Sequence, residues 1–326
     1  MNKNIFFQKK PLKMICLGFS SGLPILLVFS TLSVWLVKAG INRSTVTLFS
    51  WAGFAYAFKY LWSPLVDNYK LPFLKELGHR RSWLLLSQLL IILALILTAF
   101  TDPKDNLFFT ALFITMLAFF SATQDILVDA FRIESVPQSL QGPMSSMYIA
   151  GYRIAMLVAG AGSLWLASLF GSEIYDQNVW KKVYLIMSFF MLIGVSATLI
   201  SEEPKLNRKF KSDNHLKFLL SIFVSVIGFI FIYSIIENPF GKEEILLSFL
   251  FSVLRLIICF IFSFSIIFLL ILIKFTPKNK ISESYLGPIL NFLKRYGKFA
   301  FLVLLLISLY RIADIVMGVM ANIFYL

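Results

Sequence analysis

The sequence predicts an all-α, polytopic membrane protein, and three observations carry that prediction. Of 326 residues, 59% are hydrophobic and only 14% are charged, against about 25% charged in an ordinary soluble domain. The apolar residues fall into nine runs, each close to the ~20 residues that a helix needs to cross the hydrocarbon. Lysine and arginine cluster in alternate loops, as the positive-inside rule requires of a multi-pass chain.

The nine runs are Met14–Val37, Val46–Val66, Trp83–Phe100, Leu107–Val128, Met144–Leu169, Val179–Ile200, Phe218–Ile236, Ile245–Ile273 and Phe299–Phe324. If the N-terminus is cytoplasmic, most of the 30 basic residues lie in cytoplasmic segments. The net charge of +13 is therefore read as topology and not as a nucleic-acid surface. Cys16 and Cys259 are far apart in apolar runs, and His79 and His215 sit in loops without neighbouring ligands. Neither a disulfide framework, a metal centre nor any cofactor is expected. An enzyme would need a nucleophile–base or metal cluster, and His79 beside Arg80 and Arg81 has no partner set that makes one.

Taken in order, the first run carries Gly18 and Gly22, a GxxxG that lets a second backbone approach closely. Pro24 follows and removes a backbone hydrogen bond, which predicts a kink. The second run holds Lys59, on the cytoplasmic side of the midplane. The loop after it joins Asp67 to Arg80 and Arg81, an acid facing an arginine pair across a short turn. The fourth run ends with Gln124, Asp125, Asp129 and Arg132; the two acids share one helical face. The fifth carries Gly151, Ala155, Ala159 and Ser163 as a small-residue stripe, with Tyr152 and Arg153 beside it. Arg153 falls near the bilayer midplane and is expected to face the bundle interior, meeting a carboxylate or an anionic ligand. The seventh and eighth runs form a hairpin between basic segments, and Arg255 within it reads as structural or lipid-facing. In the ninth, Arg311 and Asp314 stand one turn apart.

The organisation expected is a six-helix bundle over residues 1–200, then basic linkers flanking an inserted two-helix hairpin over 201–298. One further helix, 299–326, is read as the opening of an otherwise absent second half, so the sequence is expected to be a fragment or a shortened gene product.

At these residues the sequence resembles the AmpG family of muropeptide permeases, within the major facilitator superfamily. The motifs are Gly18–Pro24, Phe58–Asp67, Arg80–Leu85, Ala122–Asp125 leading to Asp129–Arg132, Gly151–Arg153 and Leu309–Asp314. The resemblance implies inward, proton-coupled uptake of anhydro-muropeptides, which are anionic sugar-peptides, across the bacterial inner membrane. It implies Arg153, Lys59, Tyr152, Gln124 and Arg311 as substrate-binding residues and Asp125, Asp129 and Asp314 as proton carriers. Asp67, Arg80, Arg81 and Arg132 would form a cytoplasmic gate. The implied partners are the substrate, protons, the lipid bilayer and a membrane partner supplying the second half. Two other readings stay open: a non-transporting remnant or accessory subunit, and a transporter of another anionic substrate such as acetyl-CoA.

Overall fold

In the computed structural model, residues 9–68, 70–171, 174–204, 215–237, 239, 245–275, 287–303, 305, 306 and 309 are described. Their regular elements are all helices, joined by turns and loops, with no strand among the described residues. Six helices are long and apolar enough to cross a membrane: Lys10–Lys38, His79–Ala99, Leu107–Ser135, Gln138–Leu169, Gln177–Ile200 and Leu250–Leu272. The protein is thus an all-α, multi-pass membrane protein. Residues 9–204 form one compact unit and residues 215–303 another.

The first unit is organised around its N-terminal helix. Helix α1 (Lys9–Val28) continues, after a break at Phe29, into α2 (Ser30–Lys38). The regular helix runs through Pro24, which removes one backbone hydrogen bond within it, and breaks five residues further on at Phe29. Helix α1 packs most extensively against α8 (Gln141–Leu157). Glycine makes the approach possible: a Cβ at Gly18 or Gly22 would strike the backbones of Tyr148 and Tyr152, and one at Gly151 would strike the Ile15 carbonyl. The stripe predicted along the fifth span is the packed face, since Ala155, Ala159 and Ser163 are fully buried. Thr31 Oγ1 donates to the Ala159 carbonyl at 2.7 Å and lies 3.0 Å from Ser163 Oγ. This bond falls where α8 passes through a wide turn, Val158–Gly162, into α9 (Ser163–Leu169).

The second apolar run departs from expectation. Instead of one helix over Val46–Val66, it is α3 (Arg43–Leu48), α4 (Gly53–Ala57) and α5 (Ser63–Asn68), joined by tight 3₁₀ turns at Phe49–Ala52 and Lys59–Leu61. Gly53 and Pro64 interrupt the run, and both are poor helix formers in an interior. Trp51, Phe54 and Tyr60 are exposed along it, so tertiary packing holds only one side of the segment.

Helices α6 (His79–Ala99), α7 (Leu107–Ser135), α10 (Gln177–Phe190) and α11 (Leu192–Ile200) complete the unit. Trp35 stacks on Trp180 with centroids 5.8 Å apart, and the buried Tyr184 hydroxyl donates to the Leu27 carbonyl at 2.9 Å. In the loop before α10, Tyr175 donates to Asp102 at 2.5 Å. Burial, and then that carboxylate, push the Tyr175 phenol well above its ordinary pKa.

The second unit contains α12 (His215–Ile235), α13 (Ile245–Leu272) and α14 (Gly287–Tyr296). Ser225 and Ser263 donate to each other's backbone carbonyls at 3.0 and 2.8 Å, locking α12 to α13. The Arg255 guanidinium lies 3.7 Å from the centre of the Tyr233 ring and donates to the Tyr233 carbonyl. Its structural reading therefore stands, with the cation held by an aromatic face instead of a carboxylate.

Replacing Gly151 with Val places side-chain atoms where the Ile15 carbonyl now lies. Overpacking of this kind costs about 1–3 kcal/mol or more. Gly151→Val is expected to lower the thermal melting temperature of the purified protein by several degrees in detergent; an unchanged melting curve would mean that α1 and α8 do not approach this closely.

Candidate functional site

Two polar clusters occupy the first unit, and they are distinct. The first joins the ends of α5, α6, α7 and α11. Arg80, the second residue of α6, has a side chain only 3% exposed and grips two carboxylates. Its Nη1 donates to Asp67 Oδ1 at 2.6 Å, while Nε and Nη2 donate to Glu134 Oε2 and Oε1 at 2.8 and 2.7 Å. The bidentate geometry of the Glu134 pair suits the planar guanidinium fork. Taking the Arg80 charge out of water is costly, and the two carboxylates that hold it offset that cost.

A second acid secures the same helix start. Glu203 accepts from the Arg80 and Arg81 backbone amides at 2.8 and 3.0 Å. Those amides are free donors at the positive end of α6, so the carboxylate both caps the helix and offsets its dipole. Arg81 turns the other way and caps α11, donating to the Thr198 and Leu199 carbonyls at 3.1 and 2.7 Å. Lys13 Nζ adds a donor to the Ile200 carbonyl at 2.8 Å. Of the four residues expected in a gate, Asp67 and Arg80 are joined directly and Arg81 through the same helix end. Arg132 is not part of it: its partners are Asp129 at 3.3 Å and Ser145 Oγ at 2.6 Å. Sequence spacing missed Glu134 and Glu203, which reach Arg80 across 54 and 123 residues.

The other cluster lies along α7. Asp125 is buried, and its Oδ2 stands 3.7 Å from Lys59 Nζ, whose side chain remains 34% exposed. The tight turn at Lys59–Leu61 and Trp62, which donates to Thr123 Oγ1 at 3.0 Å, hold the second run against α7 here. The resemblance implies Lys59 as a substrate-binding cation; in the structure the nearby Asp125 carboxylate balances its charge. Tyr148 and Tyr152 form a tilted ring pair on α8 with centroids 5.9 Å apart, and the Arg132 guanidinium lies 5.8 Å from the Tyr148 ring. Asp129 is partly exposed beside Arg132.

Gln124 is wholly buried, and its Nε2 donates to Ser20 Oγ at 3.0 Å and Ser21 Oγ at 3.3 Å. It is a helix-to-helix tie between α7 and α1. Arg153 differs again. It is exposed on α8, with Met156 Sδ 3.6 Å from Nη1. Contrary to expectation it points out of the packed interior of the unit, because the opposite face of α8 is consumed by contact with α1. No carboxylate lies within ion-pair distance of it among the described residues. Arg311 and Asp314 lie outside the described residues. No group of metal-ligating side chains occurs among the described residues.

Comparison with known proteins places this arrangement. Residues 12–325 match the family model of the Major Facilitator Superfamily. The chain belongs to that superfamily. Among its relatives are a protein named "Putative transporter AmpG 4" from Rickettsia felis, 38% identical over 205 residues, and the anhydromuropeptide permease of Escherichia coli K12, 38% identical over 200 residues. These matches cover 63% and 61% of this chain but 48% and 39% of the relatives. The chain therefore spans less than half of their length.

Breaking the Arg80 cluster on one side leaves a charge buried without compensation, at a cost of about 3–5 kcal/mol. Arg80→Leu is accordingly expected to abolish recovery of monodisperse protein, whereas Glu203→Gln, which keeps an acceptor for the α6 amides, should lower the melting temperature by only a few degrees. Equal losses from both would contradict the separate roles assigned to ion pair and cap.

Proposed function

We propose that this chain takes part in proton-coupled, inward transport of anhydro-muropeptides across the bacterial inner membrane, with its N-terminus in the cytoplasm. The observation that carries the reading is the exposed Arg153 on α8, in a chain 38% identical to an anhydromuropeptide permease over 200 residues. A cation on an apolar helix is costly at ~2.5–3.5 kcal/mol near a bilayer centre. An anionic sugar-peptide offsets that cost through charge-assisted hydrogen bonds. Tyr152, next to Arg153, supplies a ring on which a sugar can rest, and Arg311 would add a second cation.

The Lys59–Asp125 pair supports a coupling route. A proton added to the Asp125 carboxylate neutralises it and ends the ion pair. The Lys59 ammonium is then free to attract the carboxylate of the ligand, so proton and anion travel together. The distance of 3.7 Å suits such an exchange, since it is an ion pair without a short hydrogen bond. Asp129 and Asp314 are further candidate carriers, and the cluster of Asp67, Arg80 and Arg81 would hold the cytoplasmic ends of the helices together while the pathway is closed on that side. Gln124 has a positioning role in this scheme and not a contact with the ligand.

The test is uptake of labelled anhydro-muropeptide into vesicles containing this chain alone, with and without a proton gradient. Arg153→Ala removes one charge-assisted interaction of about 1.5–3 kcal/mol, so uptake should fall by roughly 10- to 100-fold while the melting temperature holds. Asp125→Asn should abolish the dependence on the gradient. Gradient-dependent uptake unaffected by Arg153→Ala would remove that residue from the site. A stably inserted chain that takes up nothing would favour the accessory-subunit reading.

A further inference from the structure

Helix α14 (Gly287–Tyr296) has a design that the transport reading leaves unused. Ten residues extend about 15 Å, half of the ~30 Å of a bilayer core, so the helix cannot cross. Its residues nonetheless sort sharply at 100° per residue. Leu290, Phe292, Leu293 and Tyr296 fall on one arc, and Asn291, Lys294 and Arg295 on the other. The apolar arc is not spent on packing within its own unit: Leu290, Leu293 and Tyr296 are 50%, 43% and 41% exposed. Phe292 and Tyr296 meet along the arc as a tilted pair, with ring centroids 4.8 Å apart.

The chain after α14 fixes where this face lies. Gly297 takes a left-handed conformation, φ 51°, and its amide closes the helix on the Leu293 carbonyl at 2.8 Å. A new helical stretch starts at Phe299, where Phe299, Phe301 and Leu302 are exposed in an apolar run. Gly297 thus separates a short amphipathic helix from the start of a membrane-length apolar segment. Lys298 stands in the joint, and Lys274, Lys278 and Lys280 precede α14 in sequence.

We propose that α14 lies in the membrane interface, its Leu290–Leu293–Tyr296 face buried at the level of the headgroups and its Lys294–Arg295 edge bound to anionic phospholipid. Three features select that occupant. The face is apolar where lipid chains begin, the flanking charge is predominantly positive with Glu283 as one acid against Lys274, Lys278, Lys280 and Lys298, and the adjoining apolar segment anchors the helix at the bilayer boundary. A helix of this kind binds through buried apolar area together with attraction to anionic headgroups. Each basic residue near a charged membrane surface contributes about a 5-fold factor in binding.

The experiment uses the full chain with Cys16→Ser and Cys259→Ala, carrying Leu293→Cys labelled with an environment-sensitive fluorophore. It is reconstituted into vesicles of phosphatidylcholine or of equimolar phosphatidylcholine and phosphatidylglycerol. In the mixed vesicles the emission should shift to the blue and be quenched by a lipid-attached quencher. Lys294→Gln with Arg295→Gln should reverse most of the shift, as should high salt, in line with about a 5-fold loss of docked helix per charge. Emission typical of water in both lipids would overturn the proposal. A blue-shifted probe that no lipid quencher reaches would overturn it too, by showing that protein covers the face. Circular dichroism of the double variant confirms that the helices remain formed. A probe that is blue-shifted and quenched equally in both lipids would retain the interfacial position and remove the anionic preference, overturning the lipid assignment.

Discussion

The close approach of α1 and α8 is the constraint on which the rest of the first unit depends. Gly18, Gly22 and Gly151 bring two backbones together where any Cβ would collide with a main-chain atom. In a membrane no hydrophobic effect drives helices together, so contact rests on van der Waals packing and on whatever polar ties the interface can make. The ties follow from the approach. Thr31 reaches Ala159 and Ser163 only because the backbones are near, and Gln124 reaches Ser20 and Ser21 on the adjacent side of α1. With one face of α8 fully used, the residues opposite have nowhere to go but outward, which is how Arg153 comes to be exposed.

The two polar clusters meet different physical demands. Around Arg80, nearly every donor is matched and the cation is enclosed by Asp67 and Glu134, an arrangement whose partial loss is far costlier than its absence. Glu203, Arg81 and Lys13 meanwhile satisfy helix-terminal amides and carbonyls that water would otherwise have to reach. Lys59 and Asp125 are held more loosely, on a second apolar segment broken by 3₁₀ turns. Tight turns of that kind within a helical run often mark a hinge. Rigid cluster and loose pair thus sit on the same helix, α7, whose far end carries the first and whose middle carries the second.

The membrane character of the chain, five of the long helices to within a few residues of their observed limits at most ends, and the packing role of the glycine and alanine stripes were legible from composition and spacing. So was the pairing of Asp67 with Arg80. These are properties of one helix, or of a single short loop, and hydropathy with a period of 3.6 residues records them locally. The broken course of the second run was less legible, because Gly53 and Pro64 are tolerated in many membrane helices and only one-sided packing decides whether the helix survives them.

What the sequence determined by itself was therefore the set of helices, their small-residue faces and the residues carrying charge within them. Only the tertiary structure decided which way those residues point and what they meet. Gln124 became a buried tie, Arg132 joined Asp129 and Ser145 instead of the Arg80 cluster, and Glu134 and Glu203 proved to be the partners that Arg80 and its helix require. The reason is geometric. Spacing along a helix fixes the angle between two of its own residues, but the rotation of that helix against another is set by packing between segments more than a hundred residues apart, where one glycine face can turn every charge on the opposite side toward or away from the core.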